Sequence, residues 1–192
     1  MREFLDLDKR DREVLSLLER DPEISQTDIA EKLKISQPSV SARIHKLKQK
    51  GALAHVVGMN LKKVNLYMAK VDVIASNTSS VLDIFKDCPY FLNGLIVSGK
   101  NNLCLFFVGE DIATLEAIVD GHLRSNPLVQ SAEFSIVISP MKDLIMPLRM
   151  NFGFSESPPC GNGCNCKDCV HPTSNRCLGC PVTNSYNGKI WK

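Results

Sequence analysis

The stretch Ser36-Gln37-Pro38-Ser39-Val40-Ser41-Ala42-Arg43-Ile44-His45-Lys46-Leu47 decides the fold of the N-terminal part. Ser36 can cap a helix, and Pro38 suits a first turn whose N–H groups have no intrahelical partner. Val40, Ile44 and Leu47 recur at i, i+4 and i+7, the apolar stripe of an amphipathic helix. The other faces carry Gln37, Ser41, Arg43, Lys46 and Lys48, and Gly51 ends the helix. Upstream, Ser25-Gln26-Thr27-Asp28 opens a shorter helix with Ile29, Ala30 and Leu33 on one face. Before that, Val14, Leu15 and Leu18 predict a helix within 7–19, punctuated by Asp21-Pro22. Downstream, Ala52-Leu53-Ala54-His55-Val56-Val57-Gly58 is apolar and β-capable and predicts a short hairpin. Three short helices, a tight turn between the second and third, and a hairpin make the layout of a winged helix-turn-helix over 1–58.

Charge points the same way. Residues 1–31 hold five Lys/Arg and ten Asp/Glu, whereas residues 32–71 hold nine Lys/Arg and no acid, in a chain of net charge +2. A basic tract that coincides with the third helix is the footprint of a polyanion, here double-stranded DNA. A recognition helix enters the major groove with small polar side chains near its N-terminal end. Gln37, Ser39 and Ser41 are therefore expected near base edges, and Arg43, Lys46 and Lys50 near phosphates.

After a linker over 59–66 the period changes. Ala69, Val71 and Val73 alternate with Lys70 and Asp72, a half-buried strand. A helix through Val81, Leu82 and Phe85 follows, ended by Cys88-Pro89. Strands at 95–97 and 103–108 flank the turn Gly99-Lys100-Asn101-Asn102. A second helix carries Ile112, Leu115 and Val119, and a last strand Phe134, Ile136 and Ile138. The order βαββαβ over 67–140 is the ferredoxin-like split βαβ, so the whole is α+β. A core this small favours covering its sheet with a second subunit.

The run Leu7-Asp8, Asp11-Arg12, Val14-Leu15 and Leu18, then Ile24 to Ala30, then Ile35 to Leu47 and Gly51, resembles the Lrp/AsnC (feast/famine) family. The resemblance covers roughly residues 5–140. It implies a DNA-binding transcription regulator of a bacterium or archaeon, a homodimer or a higher oligomer of dimers, with the βαββαβ segment as effector-sensing and dimer-forming (ACT-like) domain. It also implies a small-molecule effector near a turn of Gly-x-x-Asp type. Here that turn runs from Gly99 to Asn102, with Asn102 where the family has Asp. An enzymatic alternative on a similar fold is the siroheme decarboxylases, for which the sensing segment offers His122 as its imidazole.

A connector over 141–159 is apolar enough to pack on the body, and Ser155-Glu156-Ser157-Pro158-Pro159 reads as a hinge. Six of the eight cysteines follow in residues 160–192: Cys160, Cys164, Cys166, Cys169, Cys177 and Cys180, spaced C-x3-C-x-C-x2-C-x7-C-x2-C. This tail resembles the Cys-rich tails of some methanogen and related archaeal regulators of the family. Val170, Leu178, Val182, Tyr186, Ile190 and Trp191 are too few for a core of their own, so a metal is expected to hold the tail. The pairs Cys166/Cys169 and Cys177/Cys180 suit tetrahedral zinc. The crowded run from Cys160 and the step Cys180-Pro181 suit a [4Fe-4S] cluster. Surplus thiols could form a reversible dithiol switch. Cys88 and Cys104 sit in apolar patterns and are expected to pack. No stretch nears the about 20 apolar residues of a membrane span, and the N-terminus has no apolar leader, so a cytoplasmic protein is expected.

Overall fold

The computed structural model describes residues 6–160, 166 and 169–192. The chain divides into two compact units, Met1–Val56 and Val57–Lys192.

The first unit is α1 (Lys9–Arg20), α2 (Gln26–Leu33) and α3 (Gln37–Gln49). Each starts on a side-chain cap. Asp8 and Asp11 form a reciprocal capping box on α1, Ser25 Oγ accepts from Asp28 N at 3.0 Å, and Ser36 Oγ accepts from Ser39 N at 3.4 Å. Lys34 ends α2 in the left-handed conformation, φ 53° and ψ 47°, which lets the chain turn sharply into α3. Val14, Ile29, Ala30, Val40 and Ile44 close the core, ringed by Leu17, Leu18, Ile24, Leu33, Ile35 and Leu53.

The expected hairpin at 52–58 does not form. Residues 53–58 carry no strand, and Val57 is 94% exposed. Residues 52–58 offer no Asn-Gly or Asp-Gly pair to close a tight two-residue turn. The next strand, β1 (Met59–Asn60), pairs instead with the distant β6 (Ile145–Met146).

The second unit is built on β2 (Tyr67–Ala75), α4 (Thr78–Phe85), β3 (Phe91–Ile96), β4 (Leu103–Gly109), α5 (Ile112–Val119) and β5 (Val129–Ile136). The sheet order is β3-β4-β2-β5 with every pair antiparallel, the split βαβ arrangement. Ala69, Val71, Val73 and Ala75 of β2 are buried, while Met68, Lys70, Asp72 and Ile74 between them are only half-buried. Phe85, Leu103, Leu105, Phe107 and Leu115 fill the same core. Strand β3 begins four residues earlier than the alternation at 95–97 indicates, because a bulge between Phe91 and Asn93 breaks the two-residue period. Helix α5 runs directly into one turn of π-helix, Asp120–Arg124.

The tail is not a separate module behind a hinge. Ser155 N donates to Val182 O at 2.8 Å, Leu178 N to Thr114 Oγ1 at 2.8 Å, and Tyr90 OH to Gly179 O at 2.5 Å. Glu110 accepts from Lys189 N at 2.8 Å, from Ile190 N at 3.2 Å and from the Tyr186 hydroxyl. Tyr186 and Trp191 are buried in the core of the α+β unit, Trp191 edge-on to Tyr90 at 5.4 Å with its Nε1 donating to Arg149 O at 3.0 Å. The tail's few apolar side chains therefore need no core of their own. The connector packs on the same core through Leu144, Met146, Leu148 and Phe152. Its last strand, β6, is the partner of β1. A short α6 (Val170–Thr173) lies within the cysteine segment.

Candidate functional site

At 3.6 residues per turn, the face of α3 opposite Val40, Ile44 and Leu47 carries Ala42, His45, Lys46 and Gln49, all exposed, with Ser39 beside them. These residues form the solvent-facing side of α3 in the first unit. His45, Ala42 and Gln49 were missed by the sequence reading, although the buried stripe itself locates the opposite face. Gln37 is exposed and its Nε2 donates to Gln26 Oε1 of α2 at 2.9 Å. Ser41 is half-buried, and Lys50 and Lys48 are exposed at the helix end.

Arg43 is placed differently from expectation. Its Nη1 donates to Asp8 Oδ2 at 2.5 Å and to Asp11 Oδ1 at 2.6 Å, and Lys46 Nζ lies 3.4 Å from Asp11 Oδ2. Asp11 is 0% exposed. The hydrogen bond from Arg43, foremost, holds the Asp8 carboxyl below its ordinary range. Burial pushes Asp11 upward, but Arg43, the Asp8 N–H and Lys46 outweigh it and the net shift is down. Arg43 thus locks α3 to the start of α1 instead of presenting a free cation to phosphate. The spacing of α3 puts it at the edge of the buried stripe, where such a lock is made.

In the α+β unit, Gly99 sits in an exposed turn at φ +131°, where a side chain would be strained. Asn102 does not present a free amide. Its Nδ2 donates to Ala75 O at 2.7 Å and its Oδ1 accepts from Ala75 N at 2.9 Å, so it closes the end of β2. Cys104 is buried, as expected of a packing thiol, whereas Cys88 reaches the cavity described next.

Five of the tail cysteines line a cavity of about 300 Å³ inside the second unit. Cys160, Cys166, Cys169, Cys177 and Cys180 line it, facing Cys88, Tyr90, Ile118, Gly121 and His122 of the body, with His171 of α6 at its edge. Cys164 lies outside the described residues. Burial pushes the Cys177 thiol up to about 11 and the Cys180 thiol up to about 12, so both are protonated near neutral pH. His122 Nε2 is 3.4 Å from Cys160 Sγ, and burial, then His171, holds its imidazole below the ordinary range. Among the described residues no three His, Cys, Asp or Glu side chains converge on one point. Sequence reading named the cysteines but not the body-side wall, since nothing in the spacing says which surface a tail will meet.

Residues 7–53 match a family model described as winged helix-turn-helix DNA-binding. A curated relative, the HTH-type transcriptional regulator LrpA of Pyrococcus horikoshii, is 24% identical over 116 residues, covering 57% of this chain and 82% of the relative. Among solved structures, AsnC of E. coli superposes with a TM-score of 0.63 at 17% identity, covering 72% of this chain and 96% of AsnC. A transcriptional regulator of Neisseria meningitidis in complex with L-Met gives a TM-score of 0.64 at 22% identity, covering 76% of this chain and 98% of that one. Both structures are matched almost end to end while this chain is not. Residues 7–53 thus carry a winged helix-turn-helix of the DNA-binding kind, and in sequence and fold the chain is similar to transcriptional regulators of the Lrp/AsnC type.

Proposed function

We propose that this protein is a sequence-specific, double-stranded DNA-binding transcription regulator rather than an enzyme, acting as a homodimer or an oligomer of dimers. The observation that carries the reading is the exposed face of α3, Ser39 to Gln49, lying in an acid-free basic tract on a three-helix unit of the DNA-binding kind. The names of its relatives support regulation. The sheet face carrying Leu95, Phe106, Lys70 and Asp72 supports pairing of two copies, since Leu95 stays 46% exposed there. The L-Met complex of the Neisseria relative supports a small-molecule effector near the turn from Gly99 to Asn102, where the Asn102 amide pairs with Ala75. The tail cysteines bind zinc or an iron–sulfur cluster, and the state of that metal feeds back on DNA affinity.

The test is selection of DNA from a random duplex pool by the full chain, then titration of the selected site. His45→Ala and Ser39→Ala should relax base preference by about 1–3 kcal/mol per lost base contact. Lys48→Gln and Lys50→Gln should weaken all sequences alike and shallow the salt dependence by about one unit each. Recovery of no preferred sequence would overturn the reading.

A further inference from the structure

Cys160, Cys166 and Cys169 come from one part of the tail and Cys177 and Cys180 from another, yet all five reach one cavity. That cavity measures about 300 Å³, whereas one water in the liquid takes ~30 Å³. A single zinc ion draws its sulfurs to about 2.3 Å from one point. A cavity of this size framed by thiols has room for a centre of several atoms. The ligand order, a crowded run and then a remote cysteine followed by Pro181, is that of iron–sulfur ligation.

The body-side wall adds a specific partner. His122 lies in the π-turn that follows α5, its ring held edge-on to Phe85 at 6.1 Å and its Nε2 3.4 Å from Cys160 Sγ. A π-turn is a local irregularity that re-aims one side chain, frequently at a functional site. Once Cys160 is a metal-bound thiolate it is an acceptor, and the imidazole Nε2–H is the donor beside it.

We propose that the cavity seats a four-iron iron–sulfur cluster rather than a single metal ion, with His122 as a positioning residue that donates a hydrogen bond to the sulfur of Cys160. This rests on the reading that the tail cysteines bind metal, and goes beyond it in naming the centre and its contact with the body. A hydrogen bond to a cluster sulfur stabilises the more negative, reduced state and raises the potential. His122 therefore ties the charge state of the cluster to α5 of the sensing domain.

The experiment is anaerobic reconstitution of the full chain with iron and sulfide, followed by metal and sulfide analysis and a redox titration read by electron paramagnetic resonance. The expected result is about four iron and four sulfide per chain. His122→Leu should keep the cluster but shift its potential to a more negative value, and His122→Gln, whose amide retains a donor, should recover part of the shift. One zinc per chain without sulfide would overturn the proposal and leave the metal-binding reading standing. Failure to bind any metal would overturn both. A cluster whose potential is the same in wild type, His122→Leu and His122→Gln would overturn the role of His122.

Discussion

Replacing Arg43 by methionine should destabilise the N-terminal unit without removing a phosphate contact. Asp11 is wholly buried and receives Arg43 Nη1 at 2.6 Å, Lys46 Nζ at 3.4 Å and the Asp8 N–H at 3.3 Å. Breaking a buried ion pair by removing one partner costs about 3–5 kcal/mol. Lys46 remains to screen the carboxylate here, so the loss should fall to about 2–3 kcal/mol; the exposed Asp8 pair is left out of that figure. Urea denaturation followed by circular dichroism measures it. Asp11→Asn with Arg43→Met should lose less than the sum of the two single changes, by about 1–3 kcal/mol. Acid checks the same lock. Both carboxyls have folded pKa values below the ordinary 3.8, so their contribution is full above that value and is lost as pH falls through the folded values. The gap between wild type and Arg43→Met should therefore close in strong acid. On DNA, the folded Arg43→Met protein should keep the salt slope of wild type, while Lys48→Gln loses about one unit. Unchanged stability together with a slope shallower by about one unit would refute the lock and restore Arg43 to the phosphates.

Two further outcomes follow from the α+β unit. Asn102→Ala leaves Ala75 N–H and C=O without their partners and should cost about 1–3 kcal/mol per unpaired group in thermal or urea unfolding; a loss confined to effector response, with stability intact, would contradict this. Trp191→Ala should undock the end of the tail, at a cost of about 3–5 kcal/mol if fully buried packing is lost, and limited proteolysis should then cleave beyond residue 155 while the sheet stays protected. A tail as resistant as wild type would show that the indole does not hold it.

The local rules were legible in the chain itself. The helix starts at Ser25 and Ser36, the run Val14, Leu15, Leu18 and the stripe Val40, Ile44, Leu47 place three helices without any knowledge of their packing. Alternation in Ala69, Val71 and Val73, with turn residues at regular spacing, yields the order of the α+β domain. These are properties of neighbours along the backbone, and period and capping report them directly. What the sequence left open lay in contacts between distant residues. That Arg43 meets Asp11 instead of solvent, that Asn102 closes the end of β2, and that β1 pairs with β6 instead of folding on itself each depend on a partner at least 27 residues away. The tail shows it most plainly. Counted alone, its few apolar side chains cannot bury enough surface to fold. Docked on Tyr90, Thr114 and Glu110 they share the body's core, and only that docking brings His122 and Cys88 to the cavity where the cysteines meet. Burial is a property of both surfaces, and the sequence specifies the second one only through the tertiary fold.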